Sequence, residues 1–338
     1  MSTITAAAVT PVGGSFNTTP SYSGTFIPTI WSAKLNAKFY TASTFADICN
    51  RDWEGDISNI GDKVIINNIP SLTIADYVVG GNLSYQTPVP STIELALERA
   101  KYFGFNVSDV LNYQSKPDLM NMFSEDAAQQ MRIVIDSTCI YRTFNQGAAA
   151  NRGATAGVRS AGFNLGTDAA PIVINATAGD ASNILTKILQ LASVLDEQNV
   201  PESGRWLVLD PATRTMLMNT NLAQAQFMGD DKSMVRNGMI GTIDRFKVYV
   251  SNNLPYKAAN TTVWTSGDGT ETSVVGTTHT VRTRAIIAGH TSAIGFASQM
   301  TKTEQLRNPT DFGDLVRGLQ VFGHKVIKDT ALALLIAA

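Results

Sequence analysis

Histidine and cysteine are among the side chains that most often bind metal ions or act as nucleophiles and general bases. The chain of 338 residues contains three histidines and two cysteines. They are His279, His290, His324, Cys49 and Cys139. The histidines form no HExxH-type pair, and none lies within a few residues of a cysteine, so their spacing does not predict a metal centre. We expect all three to lie at the surface or to form structural hydrogen bonds.

Other short motifs lack the residues that would complete a site. Gly229-Asp230-Asp231 matches the polymerase Gly-Asp-Asp tripeptide, but nothing else in the chain resembles a polymerase. The glycine-rich stretch 147–162 has no Lys-Ser/Thr ending, so it does not fit a phosphate-binding loop. Gly267-Asp268-Gly269 lacks the alternating acidic ligands of a calcium loop and favours a tight hairpin turn. We therefore predict no catalytic, cofactor-binding or metal-binding residues, and no cofactor.

The apolar pattern predicts a mixture of helices and strands without an internal repeat. The strongest helical pattern covers 115–146, and other helices are predicted at 31–46, 180–198 and 211–219. Residues 147–179 are rich in Gly, Ala and Asn and predict an irregular excursion. Strands are predicted at 64–66, 72–74, 93–97, 205–209, 246–250, 261–265, 274–275, 281–288, 318–327 and 331–336. The fold class is therefore α+β.

The first 33 residues contain no charged side chain but carry several aromatic and aliphatic ones. Such a segment cannot build a core alone, and it differs from disordered tails, which are charged and poor in aromatics. We favour an arm that becomes ordered against a neighbouring chain. The alternative is a frayed terminus.

A long hairpin is predicted between Gly61 and Lys101. Ile93, Leu95 and Leu97 alternate with polar residues, and the tip at 77–85 is uncharged. A long hairpin without a core of its own must lie on another surface. The alternative is an ordinary meander within a sheet.

Composition limits the function classes. The formal net charge of −2 argues against a strongly basic nucleic-acid binder. Charged residues make up 16% of the chain, below the usual ~25%, which suggests that other chains cover much of the surface. Two cysteines cannot form a disulfide framework, and no signal peptide or membrane-spanning stretch is evident. We expect a soluble protein made in a reducing, intracellular compartment.

The order of these elements, together with three stretches of sequence, resembles the major capsid protein of tailed bacteriophages, which has the Hong Kong 97 (HK-97) fold. VPESGRWLVLDP at 200–211 resembles the helix-to-strand entry of that family's axial domain. GTIDRFKVYVSNNLP at 241–255 resembles its loop-then-strand segment. GLQVFGHKVIKDTALALLI at 318–336 resembles its closing peripheral strands.

The resemblance implies a division of the chain into five segments. They are an N-terminal arm (1–48), an extended loop over a neighbouring subunit (49–106), a peripheral domain with its spine helix (107–169), an axial domain (170–295) and peripheral return strands (296–338). The implied protein is not an enzyme. It self-assembles as hexamers and pentamers into an icosahedral shell around double-stranded DNA, which it faces without sequence-specific binding.

The implied partners are other copies of the chain, a scaffolding protein and a portal, with a decoration protein as an optional addition and no membrane. The implied location is the virion, preceded by the host cytoplasm. We predict inter-subunit contacts for the arm, the loop tip and the axial segment. The predicted residues are Phe26, Ile30, Trp31, Tyr77, Val79, Leu83, Tyr85, Gly238 and Gly241.

One departure from the family concerns a covalent cross-link in which a loop lysine joins a neighbouring asparagine. Residues 64–100 contain no lysine, so we expect no such bond. Two alternatives remain open at this point. One is an encapsulin-like nanocompartment shell of the same fold, and the other is a soluble α+β enzyme or another virion component.

Overall fold

A computed structural model describes residues 43–53, 63–70, 72–77, 79–80, 82, 84–109, 119–177, 179–220 and 241–338, with only the backbone at 300–302. The described helices are α1 (Phe45–Ile48), α2 (Leu119–Thr143), α3 (Ile184–Glu197) and α4 (Pro211–Met218), with 3-10 turns at Ala149–Asn151 and Asp329–Ala331. The described strands are β1 (Lys63–Asn68), β2 (Ser91–Ala96), β3 (Arg99–Ser108), β4 (Arg205–Leu209), β5 (Thr242–Ile243), β6 (Phe246–Val250), β7 (Tyr256–Lys257), β8 (Val263–Trp264), β9 (Val274–Val275), β10 (Thr283–His290), β11 (Ile294–Arg307), β12 (Gly313–Val326) and β13 (Leu332–Ala337).

A mixed sheet with the strand order β13-β10-β4-β6-β5 holds most of the core, and β7 pairs with β10 beside it. Strands β4 and β6 are parallel, as expected of a mostly apolar strand such as β4, whose five residues are all buried. Helix α3 lies within the predicted helix at 180–198 and buries Ile184, Ile188, Leu191 and Leu195. Asn183 is the N-cap residue of α3, and its side chain accepts a hydrogen bond from the Leu185 N–H (2.8 Å).

A second sheet has the antiparallel order β11-β12-β3 and contacts α2. The rings of Phe105 on β3 and Phe123 on α2 meet edge to face at 5.8 Å. The sequence predicted neither β11 nor the extension of β3 beyond 101. In β11 the exposed half is polar, so little apolar periodicity marks it.

The predicted hairpins are confirmed in part. Strands β1 and β2 pair from Lys63↔Ala96 to Asn68↔Ser91, but residues 72–74 are not a strand. Strands β8 and β9 pair around the predicted glycine turn. Strand β10, which follows this hairpin, belongs to the mixed sheet.

The last strand, β13, pairs with β10 in the mixed sheet, whereas β12 lies in the three-stranded sheet. The two closing strands therefore belong to different sheets. The predicted helix start at 115–118, and all of the predicted helix at 31–46 before residue 43, lie outside the described residues.

Candidate interaction surfaces

The loop between β1 and β2 exposes large apolar side chains to an unusual degree. Of the predicted contact residues, Tyr77 is 70% exposed, Val79 88% and Tyr85 88%. Leu83 lies outside the described residues. Four further apolar side chains of the loop are also exposed, namely Ile69, Leu72, Ile74 and Val89. Soluble proteins rarely leave such a cluster uncovered, so the loop is a candidate contact surface.

The base of this loop is held by a small separate core. Leu95 on β2 is buried with Leu97, Ala297 and Val321, and Val64, Ile66, Trp53 and Leu319 pack against them. The β1–β2 hairpin is thereby fixed to the three-stranded sheet. The ion pair between Lys63 and Glu94 (2.9 Å) is about half exposed at both ends and adds little stability.

Further along the loop, a side chain takes the place of strand pairing. The amide nitrogen of Gln86 donates to the Thr73 carbonyl (2.8 Å), and the Thr73 N–H donates to the Gln86 amide oxygen (3.1 Å). Gly80 at the tip has a φ of +81°, which favours glycine. The loop is therefore linked across its middle while its apolar side chains stay exposed.

Of the remaining predicted contact residues, the structure describes Gly241. Gly241 is exposed with a φ of +57°, and no atom lies within 4 Å of the place where its Cβ would be. Gly238, Phe26, Ile30 and Trp31 lie outside the described residues, so their roles remain predictions.

A buried carboxylate that the sequence analysis did not single out fixes the start of the described chain. Asp136 on α2 is 2% exposed. One of its oxygens accepts from the backbone N–H groups of Thr44 (2.7 Å) and Phe45 (2.6 Å) and from the Ser43 hydroxyl (3.1 Å), while the other accepts from the Asn253 amide (2.6 Å). Burial raises the pKa of Asp136, and these hydrogen bonds oppose the rise.

Asp136 thus supplies the N-terminal cap of α1 from another helix, because the side chain of Thr44 forms no cap. One sequence signal could have identified it. Asp136 lies three and four residues before the buried Cys139 and Ile140, on the same helical face. A carboxylate in such a position needs partners.

A second polar network joins the irregular excursion to the mixed sheet. The Asp168 carboxylate accepts from the buried Lys257 ammonium, the Trp264 indole N–H (2.8 Å) and the Thr277 backbone N–H. Partial burial raises the pKa of Asp168, but these donors outweigh it and lower the pKa overall. The Lys257 ammonium also lies 5.3 Å from the Trp264 ring.

The histidines follow the prediction in two cases. His279 contacts the Asp168 carbonyl, and His290 contacts the Ser203 carbonyl and the Ser292 hydroxyl (2.8 Å each). His324 differs, because its buried Nδ1 has no hydrogen-bond partner among the described residues. Within the described ranges, no group of three or more His, Cys, Asp or Glu side chains could hold a metal ion. No described helix is long and apolar enough to cross a membrane.

Comparison with known proteins agrees with this architecture. The structure of Mycobacterium phage Che8 is similar, with 23% identity, coverage of 92% of this chain and 97% of that chain, and a TM-score of 0.68. The capsid structure of the cyanophage P-SCSP1u has 17% identity, coverage of 92% and 93%, and a TM-score of 0.64. The mature capsid of bacteriophage PhiM1 has 14% identity, coverage of 92% and 91%, and a TM-score of 0.62. No curated protein sequence matches the chain.

These likenesses confirm the predicted HK-97-like α+β fold. The family model described as phage capsid protein matches residues 92–335, well over half of the chain. That range includes β2, β3, α2 and most of both larger sheets. This chain belongs to the phage capsid protein family and is a major capsid protein of the virion shell.

Proposed function

We propose that the chain assembles as hexamers and pentamers into a closed icosahedral shell that encloses a double-stranded DNA phage genome. The observation that carries this proposal is the β1–β2 loop, whose base is fixed and whose apolar side chains are exposed. Covering Tyr77, Val79 and Tyr85 with a neighbouring copy would remove a large apolar area from water. Each fully buried side chain of this size contributes about 1.5–3 kcal/mol.

Repetition in a symmetric shell makes such contacts effective. In a closed lattice every subunit forms the same contacts, and each subunit forms several of them at once. Contacts that are weak between two copies can therefore stabilise the whole shell. The near-zero net charge suits a lumen that faces DNA without a strong overall attraction to its phosphates. The proposed function is therefore structural and not enzymatic.

In this proposal each segment of the chain has the structural role that the resemblance implies. Residues 1–48 form the arm, 49–106 the extended loop, and 170–295 the axial domain near the capsomer centre. Residues 107–169 and 296–338 form the peripheral domain. The pairing of β13 with β10 adds one link, because it ties the end of the last segment into the sheet of the axial segment.

The remaining partners are proposed on the same basis. The chain would be made in the host cytoplasm and assembled with a scaffolding protein and a portal, and a decoration protein could bind the finished shell. The phage capsid family match favours this role over an encapsulin-like nanocompartment.

The loop assignment is tested with two substitutions at one position. Tyr85→Asp places a charge in the proposed contact, whereas Tyr85→Phe keeps the ring and serves as the matched control. Each protein is purified and examined by circular dichroism, size-exclusion chromatography and negative-stain electron microscopy, alone and with the scaffolding protein. We expect closed shells or capsomers from the wild type and Tyr85→Phe, and a folded, unassembled chain from Tyr85→Asp.

Two results would refute the proposal. Normal shells from Tyr85→Asp would show that the loop tip does not form an essential contact. A wild-type chain that remains monomeric both alone and with the scaffolding protein would refute self-assembly itself.

A further inference from the structure

A polar cavity of about 420 Å³ lies where the C-terminal end of α2 meets the β2–β3 turn and β12. The lining residues that carry a charge or an imidazole are Glu94, Glu98, Arg99, Arg142, His324 and Lys325. A water molecule in bulk occupies about 30 Å³, so the cavity can hold a multi-atom ion together with several waters.

The charges around this cavity do not balance within the described structure. A single carboxylate, Glu271, bridges the Arg99 and Arg142 guanidinium groups at 3.4 Å and 2.7 Å. Glu94 is already paired with Lys63 (2.9 Å). The cations Arg99, Arg142 and Lys325 are therefore opposed locally by Glu271 and Glu98, which leaves one positive charge in excess.

His324 experiences this excess directly. His324 lines the cavity, and its Nδ1 is buried without a hydrogen-bond partner among the described residues. Burial, followed by the nearby Arg99, Arg142 and Lys325 charges, lowers the pKa of His324 to about 4. The carboxylates Glu94, Glu98 and Glu271 face the same region without reversing that effect.

Within the described part of the chain, Arg99 and Arg142 also retain unused hydrogen-bond donors. The contacts with Glu271 involve one nitrogen of each guanidinium, namely Arg99 Nη1 and Arg142 Nε. Each guanidinium has five N–H donors in a planar fork that matches oxyanions. The other donors can therefore turn towards an anion in the cavity.

We propose that this cavity is a binding site for a phosphate group, held by Arg99, Arg142 and Lys325, with the ring of His324 beside it. The phosphate could be free in solution or belong to a DNA backbone, and the chemistry of recognition is the same. Binding here does not depend on shell assembly, so either proposal can fail without the other.

The test uses the purified full chain and inorganic phosphate. The ring of His324 is followed by NMR as a function of pH, in phosphate and in sodium chloride of equal ionic strength. The chain has three histidines, so the His324→Gln variant assigns the signal. We expect phosphate to raise the pKa of His324 by about one unit, because an anion favours the imidazolium form.

Calorimetry with inorganic phosphate supplies a second readout. Lys325→Gln is expected to weaken binding about tenfold, a loss typical of one charged contact. The matched control is Arg317→Gln, which lies on the same strand and pairs with Glu304 away from the cavity. It should leave phosphate binding unchanged.

The outcomes are distinct. Equal His324 titration curves in phosphate and chloride would overturn the proposal, as would equal losses in Lys325→Gln and Arg317→Gln. If Lys325→Gln fails to fold, the wild-type titration decides alone. A short DNA duplex that reproduces the His324 shift identifies a backbone phosphate as a ligand, whereas a shift with inorganic phosphate only identifies a free phosphate.

Discussion

The carbonyl oxygen of Ala96 lies directly over the α-carbon of Gly323, only 2.1 Å from where a Cβ would be. At this point the base of the β1–β2 hairpin crosses β12. The contact is backbone against backbone, so neither side can move aside as a flexible side chain would. Glycine at 323 is therefore a condition for the hairpin to dock on the three-stranded sheet.

We predict that Gly323→Ala weakens this docking and destabilises the chain by about 1–3 kcal/mol, the usual cost of overpacking. The measurement is urea unfolding of the unassembled protein. Gly104→Ala on β3 is the matched control, because the nearest atom to its Cβ would be 3.9 Å away. Equal stabilities for the two variants would contradict the prediction.

Removing the cap formed by Asp136 should be costly. In Asp136→Ala the buried N–H groups of Thr44 and Phe45 lose their acceptor, and the buried Asn253 amide loses a partner. Unsatisfied buried donors cost about 1–3 kcal/mol. We expect a loss of about 3 kcal/mol in the free energy of unfolding, together with faster proteolysis near residues 43–48.

The control for Asp136→Ala is Glu125→Ala on the same helix, where the side chain is exposed. It should change stability by less than about 0.5 kcal/mol. A loss in Asp136→Ala no larger than that of the control would show that Asp136 does not hold α1.

The Asp168–Lys257 pair should respond asymmetrically to removal of either partner. Asp168→Ala leaves the fully buried Lys257 ammonium without its carboxylate, which typically costs about 3–5 kcal/mol. Lys257→Met should cost less, because Asp168 is partly exposed and keeps the Trp264 and Thr277 donors. Thermal unfolding of both variants checks the order, and a reversed order would refute this account of the network.

His324 should make the unfolding free energy depend on pH. Its native pKa of about 4 lies below the ordinary 6.5, so the unfolded chain binds this proton more readily. Stability is therefore fully present above pH 6.5 and is lost as pH falls towards 4, by up to roughly 3 kcal/mol.

The His324→Gln variant isolates this contribution. Urea unfolding of wild type and variant at about pH 7 and about pH 5 should show a smaller acid-induced loss in the variant. His279 and His290 are present in both proteins, so their contributions cancel in the comparison. Parallel pH profiles would contradict the prediction.

Sequence patterns predicted elements whose burial is continuous or periodic. The strands at 205–209 and 246–250 and the helix around Ile188 were predicted because apolar runs and helical spacing reflect burial directly. The extension of β3 could have been predicted from its sequence. Its less exposed residues alternate with its exposed ones, namely Phe103, Phe105 and Val107 with Tyr102, Gly104 and Asn106.

Such sequence patterns could not predict the polar networks around Asp136 and Asp168. Asp136 binds Phe45, 91 residues earlier, and Asp168 binds Trp264, 96 residues later. Periodicity describes one element at a time, so it carries no information about contacts between distant elements. The exposed loop residues could be proposed from composition and resemblance because an uncharged, apolar tip is itself a signal of contact.

The paired hydrogen bonds between Gln86 and Thr73 have a mechanical consequence. Six residue pairs make the hairpin base stiff, whereas one exposed side-chain amide links the middle of the loop in the part that the structure describes. Each such bond contributes only about 0.5–1.5 kcal/mol, so it can break and reform at small cost. The outer part of the loop can thus pivot on a rigid stem. One sequence could then fit both the flat and the sharply curved environments of the proposed icosahedral shell.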